Sequence, residues 1–361
     1  MTGGDFVRTK KIRVAITAGV GMFLLSGCFQ GAETIEEIDM PEDIPIIDET
    51  EENMNESEET NSEENDVEET AETTERTLYV FDKDGVVAPI QIEIPKIEGA
   101  AAQTVQYLVK DGPVTELLPE GFAAVLPEKT EVLGTNVTED GTLIVDLSAQ
   151  FANYEAEDEI RILEAMTHTL IQFEQVENIK LRIDGEDIDE MPVNGTPIAN
   201  GYSKKHGINI HMDEKPHLQH SELVTIFYPK QHEEMTYFVP VSTYIDRTED
   251  VFEAKVQKLL ENIPRELGVQ DVFQQEVSLE KAPELNEGVL QLVFNEYIFN
   301  DDELPIIQKD VMETLVRSLV DGEEVQAIDV QVEQLDEIMD EDGNVYDTPV
   351  QLSDFQQMEK M

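Results

Sequence analysis

The order of apolar segments in the first half of the chain recurs in the second half, and this repetition constrains the fold more than any other feature. TLIVDLSAQF, which begins at Thr142, is matched by VLQLVFNEYIF from Val289 at a shift of 147 residues. NIKLRID from Asn178 is matched by AIDVQVE from Ala327 at a shift of 149 residues. A repeat on this scale predicts two copies of one domain, at 77–200 and 221–350, each large enough for its own core.

Each copy has the patterns of β-hairpins. In the first copy, TLYVF and VVAPIQIEI flank the turn sequence DKDG, and Asp140-Gly141 marks a second hairpin turn. Asp-Gly between alternating apolar residues is a strong hairpin signal. Leu143, Val145 and Leu147 should face inward.

Each copy also has two helical patterns. In the first, a short helix should end at Gly112-Pro113, and a longer one should follow from Glu159. The apolar stripes are Ala101, Val105, Leu108 and Val109, then Ile160, Leu163, Met166, Leu170 and Ile171, and in the second copy Phe252, Val256, Leu259, Leu260 and Ile263. The fold class predicted is α+β, with two tandem copies of a small module of one sheet and two helices.

The N-terminus has the form of a secretory signal peptide over residues 1–27. Basic residues between Arg8 and Arg13 precede an apolar run, Val14 to Leu25, which at 12 residues is shorter than the roughly 18–20 residues of a membrane-spanning helix. Leu25, Ser26 and Gly27 precede Cys28, the only cysteine in the chain, and this segment resembles the lipobox of bacterial lipoproteins.

On that resemblance Cys28 receives diacylglycerol and becomes the first residue of the mature protein. Two acyl chains would give a stable membrane anchor, where one chain binds only marginally. The membrane is thus the first expected partner, and the expected location is the extracytoplasmic face of the cell membrane. The alternative is a cleaved signal peptide followed by an incidental cysteine. One cysteine excludes an internal disulfide and a zinc site made of several thiolates.

Residues 28–76 are predicted to be an acidic, disordered tether. Between residues 33 and 75 there are 20 acidic residues and no lysine, arginine or aromatic residue. Such a segment cannot bury enough apolar surface to offset the entropy lost on ordering. A recognition tail is the alternative to a spacer. Residues 201–220 are predicted as a linker, and residues 351–361 as a tail.

The net charge limits the possible partners. With 24 basic and 80 acidic residues, the chain carries a formal charge of −56. It therefore repels polyphosphates, which excludes nucleic acid as a partner, and charged partners should be basic.

No residue pattern in the sequence indicates catalysis, a cofactor or a small-molecule substrate. Ser148 lacks a nearby motif histidine or acid, and Asp146 more often serves to bind backbone amides. DKDG and DEDGN lack the ligand spacing of an EF-hand and are interpreted as turns.

Histidines are concentrated in the predicted linker. His206, His211, His217 and His220 could gather Zn²⁺, but no helical spacing fixes them, so an ordinary linker is the preferred interpretation and no metal is expected. His168, on the predicted long helix, is interpreted as a residue at the edge of the core.

The first copy resembles the GerMN domain, most specifically in DGTLIVDLS and the helix that follows it. A lipobox followed by two such copies resembles GerM-type sporulation and germination lipoproteins of Gram-positive bacteria. The second copy has NEGVLQLVFNE where the family usually has Asp-Leu-Ser, so its assignment depends on element order. The resemblance implies a non-enzymatic module with a fold like ring-building domains, whose partners are extracytoplasmic sporulation channel proteins.

The function expected is thus that of a membrane-anchored assembly or interaction protein of sporulation, at the mother cell–forespore channel or in engulfment, and of spore germination. Its location would be the space between the mother cell and forespore membranes. One alternative is a cell-wall or cortex-processing enzyme or accessory factor. The other is a solute-binding lipoprotein, although the modules lack the alternating βαβ pattern of doubly wound lobes.

Overall fold

A computed structural model describes residues 72–212, 219–247, 250–261, 263–299, 304–333, 335 and 337–358. Cys28, its lipobox, the signal peptide and the tether up to residue 71 lie outside the described residues. Within these ranges, no helix combines the length and apolar composition needed to span a bilayer.

The first module combines a long hairpin, a small sheet and two helices. Its elements are β1 (Thr73–Phe81), β2 (Val87–Pro95), α1 (Ala100–Gln106), β3 (Val132–Val137), β4 (Thr142–Leu147), α2 (Glu159–Leu170), β5 (Asn178–Ile183), β6 (Glu186–Asp187) and β7 (Tyr202–Ser203). β4 pairs antiparallel with β3 and parallel with β5, which in turn pairs with β6 and β7. Leu143, Val145 and Leu147 are fully buried, as the alternation predicts.

The second module repeats this arrangement. Its elements are β8 (Ser221–His232), β9 (Met235–Asp246), α3 (Val251–Glu261), β10 (Glu284–Asn286), β11 (Val289–Phe294), α4 (Lys309–Leu319), β12 (Ala327–Val332) and α5 (Leu352–Met358). β11 pairs antiparallel with β10 and parallel with β12, as β4 does with β3 and β5. The predicted α+β class and the predicted repetition are both confirmed.

In each module the long helix lies against the first strand of the hairpin and bonds to its backbone. The Tyr79 amide of β1 donates to Thr169 Oγ1 of α2 over 2.9 Å. At the corresponding place, the Phe227 amide of β8 donates to Ser318 Oγ of α4 over 3.0 Å. A helix hydroxyl thus satisfies a strand amide that has no partner strand on that side.

The structure confirms the predicted apolar stripes of the helices only in part. Ile160 is 47% exposed although it was predicted to face the core, while Ile162 is fully buried. Glu159 is turned inward, and successive helix residues are about 100° apart, so Ile160 points outward. α1 ends at Gln106, before Gly112, and α3 ends at Glu261, so Ile263 lies beyond the helix.

Three predicted boundaries differ from the structure. β1 begins at Thr73, inside the segment predicted as tether, because residues 73–76 complete the ladder with β2. Tyr202 and Ile208, in the predicted linker, are buried in the first module's core. Part of the predicted tail forms α5, because Phe355, 1% exposed, belongs to the second module's core.

Candidate functional site

The feature that most distinguishes this chain from two independent modules is the junction between them. Val87 on β2 is buried in the core of the first module, but its neighbours Val86 and Ala88 are buried in the core of the second. Because side chains alternate along a strand, one end of β2 contributes to both cores. The two cores therefore meet at the first residues of β2.

A buried ion pair lies at this junction. Lys230 Nζ of β8 is 2.6 Å from Asp82 Oδ2 and 2.8 Å from Asp84 Oδ2, both in the turn between β1 and β2. The Tyr237 hydroxyl of β9 donates to Asp82 Oδ2 over 2.9 Å. Lys230 is 1% exposed and Asp82 is 5% exposed. A buried charge is costly unless paired, so each module here depends on the other for its charge partner.

The turn itself is held by the same carboxylate. Asp82 Oδ1 accepts the amide N–H groups of Asp84 and Val86, each over 2.9 Å. Hydrogen bonds from Lys230 and then Lys83 lower the pKa of Asp84 to about 2. Burial, and then the Asp82 carboxylate, raise the pKa of Tyr237.

Asn209 is a second bridge between the modules. Its side chain accepts the Val87 amide over 3.0 Å and donates to the carbonyls of Val87 and Pro240 over 2.7 and 2.9 Å. Next to it, the backbone amide of Ile208 donates to Ser242 Oγ of β9 over 2.9 Å, and the backbone amide of Ser242 donates to the Ile208 carbonyl over 2.8 Å. The predicted linker is thus part of the junction.

Two titratable residues of α2 lie in the same region, Glu164, which is buried, and His168, which is half-buried at the edge of the core as interpreted. Glu164 Oε2 accepts the backbone amide of Asn209 over 3.1 Å, and burial raises the pKa of Glu164 to about 7. Burial, and then the charge of Lys204, lower the pKa of His168 to about 4. His168 Nε2 is buried without a hydrogen-bond partner.

Asp146 and Ser148, the two residues considered as possible catalytic groups, both accept backbone amides. Asp146 Oδ1 accepts the Gly185 amide over 3.0 Å, as predicted. Ser148 Oγ accepts the Glu131 amide over 3.0 Å. Each oxygen fixes the end of a strand.

The linker histidines are not assembled into a site. His206 stacks on Tyr202 with ring centroids 4.2 Å apart, and His211 is paired with Glu266. Across the ranges that the structure describes, no group of three or more His, Cys, Asp or Glu could hold a metal ion. His217 lies outside the described residues. The two acidic turns are turns, as interpreted, and Asp340 Oδ1 accepts two amides of its own loop.

The junction was not predicted, although β8 carries one sequence signal for it. Ile226 and Tyr228 are inward-facing residues of β8, and Lys230 is the next residue on that side. A lysine at an inward position of a strand indicates a buried charge that needs a partner.

Comparisons with known proteins agree with this architecture. A family model described as "Germane: Sporulation and spore germination" matches residues 77–189. The chain is 36% identical over 348 residues to the spore germination protein GerM of Bacillus subtilis, which covers 93% of this chain and 95% of GerM. The solved tandem GerMN domains of B. subtilis GerM match with a TM-score of 0.71 at 36% identity, over 78% of this chain and 97% of that one. The chain therefore belongs to the GerM family of sporulation and spore germination proteins.

Proposed function

We propose that the protein is a membrane-anchored, non-enzymatic assembly protein that presents two fused modules to extracytoplasmic partners during sporulation and germination. The observation that carries this proposal is the junction. The two cores meet at the first residues of β2, and a buried Lys230–Asp82 pair and Asn209 join the modules. The modules therefore offer their outer surfaces in one fixed arrangement.

A fixed arrangement suits assembly. When two contact surfaces are joined, binding of the first raises the effective concentration of the second, provided that the geometry allows both to engage. A rigid junction also lowers the entropy lost on binding, because the relative orientation of the modules is already set. The polar residues best placed for chemistry, Asp146 and Ser148, are occupied with backbone amides, which gives an enzyme less support.

The proposed anchor is a lipid on Cys28, with the folded modules outside the cell membrane and between the mother cell and forespore membranes in sporulating cells. The proposed partners are proteins of the channel between the two cells. The acidic composition, 80 acidic against 24 basic residues, favours partners with basic surfaces.

The proposal can be tested by replacing the gene in its own organism with four variants and counting heat-resistant spores. Cys28→Ala should release the protein from the membrane and reduce spore yield, whereas Asp146→Asn and Ser148→Ala should leave spore yield within about twofold of wild type. Ile97→Ser, a change at an exposed residue, is the control. Normal sporulation with Cys28→Ala would contradict the anchor, and a loss of spores with stable Asp146 and Ser148 variants would support an enzyme.

A further inference from the structure

Each module has a loop after its last long strand that is held by a buried carboxylate. In the first module this is residues 191–196, here the first valine loop. Glu159, at the start of α2, is fully buried and accepts the amides of Val193, Asn194 and Thr196 over 3.2, 2.6 and 2.9 Å. It also accepts the hydroxyls of Thr196 and Tyr154 over 2.6 and 2.8 Å.

In the second module the carboxylate that joins loop and helix belongs to the loop, whereas in the first module it belongs to the helix. In residues 340–345, the second valine loop, Asp340 is 1% exposed and accepts the Asn344 amide over 2.7 Å. Glu341 of this loop accepts the Lys309 amide at the start of α4 over 2.9 Å. In both modules a carboxylate therefore joins the loop to the first residues of the long helix.

Both loops present apolar side chains to solvent. Val193 is 40% exposed and Val345 is 43% exposed. Each module has a further exposed aliphatic residue before or within the first turn of its long helix: Ile160, 47% exposed, is the second residue of α2, and Leu304, 53% exposed, lies five residues before α4. Single exposed apolar residues are common, but here an exposed valine occurs in the corresponding loop of two modules of low sequence identity.

The buried carboxylates bear on how these loops can act. Burying a carboxylate is costly unless its hydrogen bonds are satisfied, and five donors satisfy Glu159. Such a loop is held in one conformation before any partner binds. Preorganisation of this kind lowers the entropy lost on association.

We propose that the two valine loops are matched docking points for two copies of one partner protein, each with an apolar pocket bordered by lysine or arginine. This inference rests on the proposed assembly function and specifies its contact surface. The basic border follows from charge complementarity, because exposed acids lie within or beside both loops, among them Asp189, Glu190, Asp342 and Asp347. Two copies of one partner follow from the repetition, because similar loops fit similar pockets.

The experiment places a photo-crosslinking amino acid at position 193 or 345 of the full-length chain in sporulating cells of its own organism. Crosslinked peptides are identified by mass spectrometry. Positions 97 and 133 are controls, because Ile97 and Leu133 are 54% and 50% exposed but lie outside the loops. The proposal expects one and the same protein at 193 and 345, joined through a peptide rich in Lys or Arg, and a yield at least fivefold lower at both controls.

A separate measurement tests whether two copies of the partner bind the two valine loops together. Val345→Ser should lower the crosslink yield at position 193 about tenfold or more, because the loss of one of two linked contacts removes avidity. Leu133→Ser should leave that yield within twofold. Different proteins at the two positions, crosslinks to the chain itself or to lipid, or a yield at 193 independent of residue 345 would overturn the proposal.

Failure of this inference is distinguishable from failure of the proposed function. If Cys28→Ala reduces spore yield but positions 193 and 345 give no common partner, the assembly role stands and the docking points are wrong. If Cys28→Ala sporulates normally, the proposed function itself fails. The thermal unfolding midpoint of Val345→Ser should match wild type within about 2 °C, because an exposed valine contributes little to stability.

Discussion

Lys230 lies inside the protein, where the carboxylates of Asp82 and Asp84 take the place of the water lost on burial. Asp82 is within 2.6 Å and itself buried. We therefore expect Lys230→Met to lower the free energy of unfolding by about 3–5 kcal/mol, because it leaves the Asp82 carboxylate buried without a cation. Urea denaturation of the full-length protein at pH 7 measures this loss.

The double variant Asp82→Asn/Lys230→Met separates the charge from the packing. Asparagine can still accept the amides of Asp84 and Val86 through its carbonyl oxygen. The double variant should therefore recover most of the stability lost in Lys230→Met. If both variants are equally unstable, the loss comes from packing around Lys230, and the ion pair is not the cause.

Glu164 makes stability depend on pH. Burial raises its pKa to about 7. A folded-state pKa above the unfolded value means that the folded state binds the proton more tightly. The stabilisation is therefore complete below the unfolded pKa and is lost as the pH rises through about 7.

Glu164→Gln should thus gain about 2–3 kcal/mol in unfolding free energy relative to wild type between pH 4.5 and pH 8. The variant must be compared with wild type at each pH because His168 also makes stability depend on pH, in the opposite direction. Its pKa is lowered to about 4, so it lowers the free energy of unfolding as the pH falls from 6.5 to 4. A difference that does not change with pH would show that Glu164 titrates normally.

Glu159 provides the contrasting case on the same helix. Burial alone would raise its pKa, but hydrogen bonds from Thr196, Asn194 and Tyr154 outweigh burial and lower it. Its contribution to stability is therefore present above the unfolded pKa and is lost as the pH falls. Glu159→Gln should cost about 2 kcal/mol or more at pH 7, because the amide directs a donor at the loop amides, and much less at pH 3. Urea midpoints at the two pH values measure this change.

At the scale of elements, the contact between long helix and hairpin occurs in both modules. Thr169→Val and Ser318→Ala each remove the acceptor of a strand amide, at Tyr79 and Phe227. Each change should cost about 1–3 kcal/mol, because a buried donor is left unsatisfied. Amide exchange should accelerate at Tyr79 in the first variant and at Phe227 in the second. Acceleration of neither amide would show that water replaces the hydroxyl.

Local elements follow from the sequence because their causes are local. The turn sequence DKDG and the alternation of its flanking strands predict the β1–β2 hairpin. The 147- and 149-residue shifts correctly identify β11 as the equivalent of β4 and β12 as the equivalent of β5. Sequence similarity is a weaker guide after the last long strand. GTPIA (195–199) resembles DTPVQ (347–351), yet β12 bridges to Val350 inside the second segment, whereas β5 pairs with Tyr202, which lies beyond the first.

The junction could not be predicted in the same way. Asp82 and Lys230 are 148 residues apart in sequence, and Asn209 joins β2 to β9 across 122 and 31 residues. No local preference relates such distant residues; only tertiary contact does. The 201–220 segment was predicted as a linker because of Pro216 and its mixed polarity, but the side chain of Asn209 in that segment bonds to both modules.

At the scale of the whole molecule, the second module is incomplete without the first. Residues 219–361 expressed alone would lack Val86 and Ala88, which belong to its core, and the carboxylate of Asp82 beside Lys230. We expect this fragment to bind a hydrophobic dye and to unfold without a sharp transition. A fragment as stable as the full chain would show that the residues at the start of β2 contribute little.

The most direct test of the fused junction is differential scanning calorimetry of the full-length protein. If the two modules form one cooperative body, there will be a single transition whose calorimetric enthalpy equals its van't Hoff enthalpy. Lys230→Met should shift that transition to lower temperature. Two separate transitions in the wild-type protein, each with the enthalpy of about one module, would contradict the account.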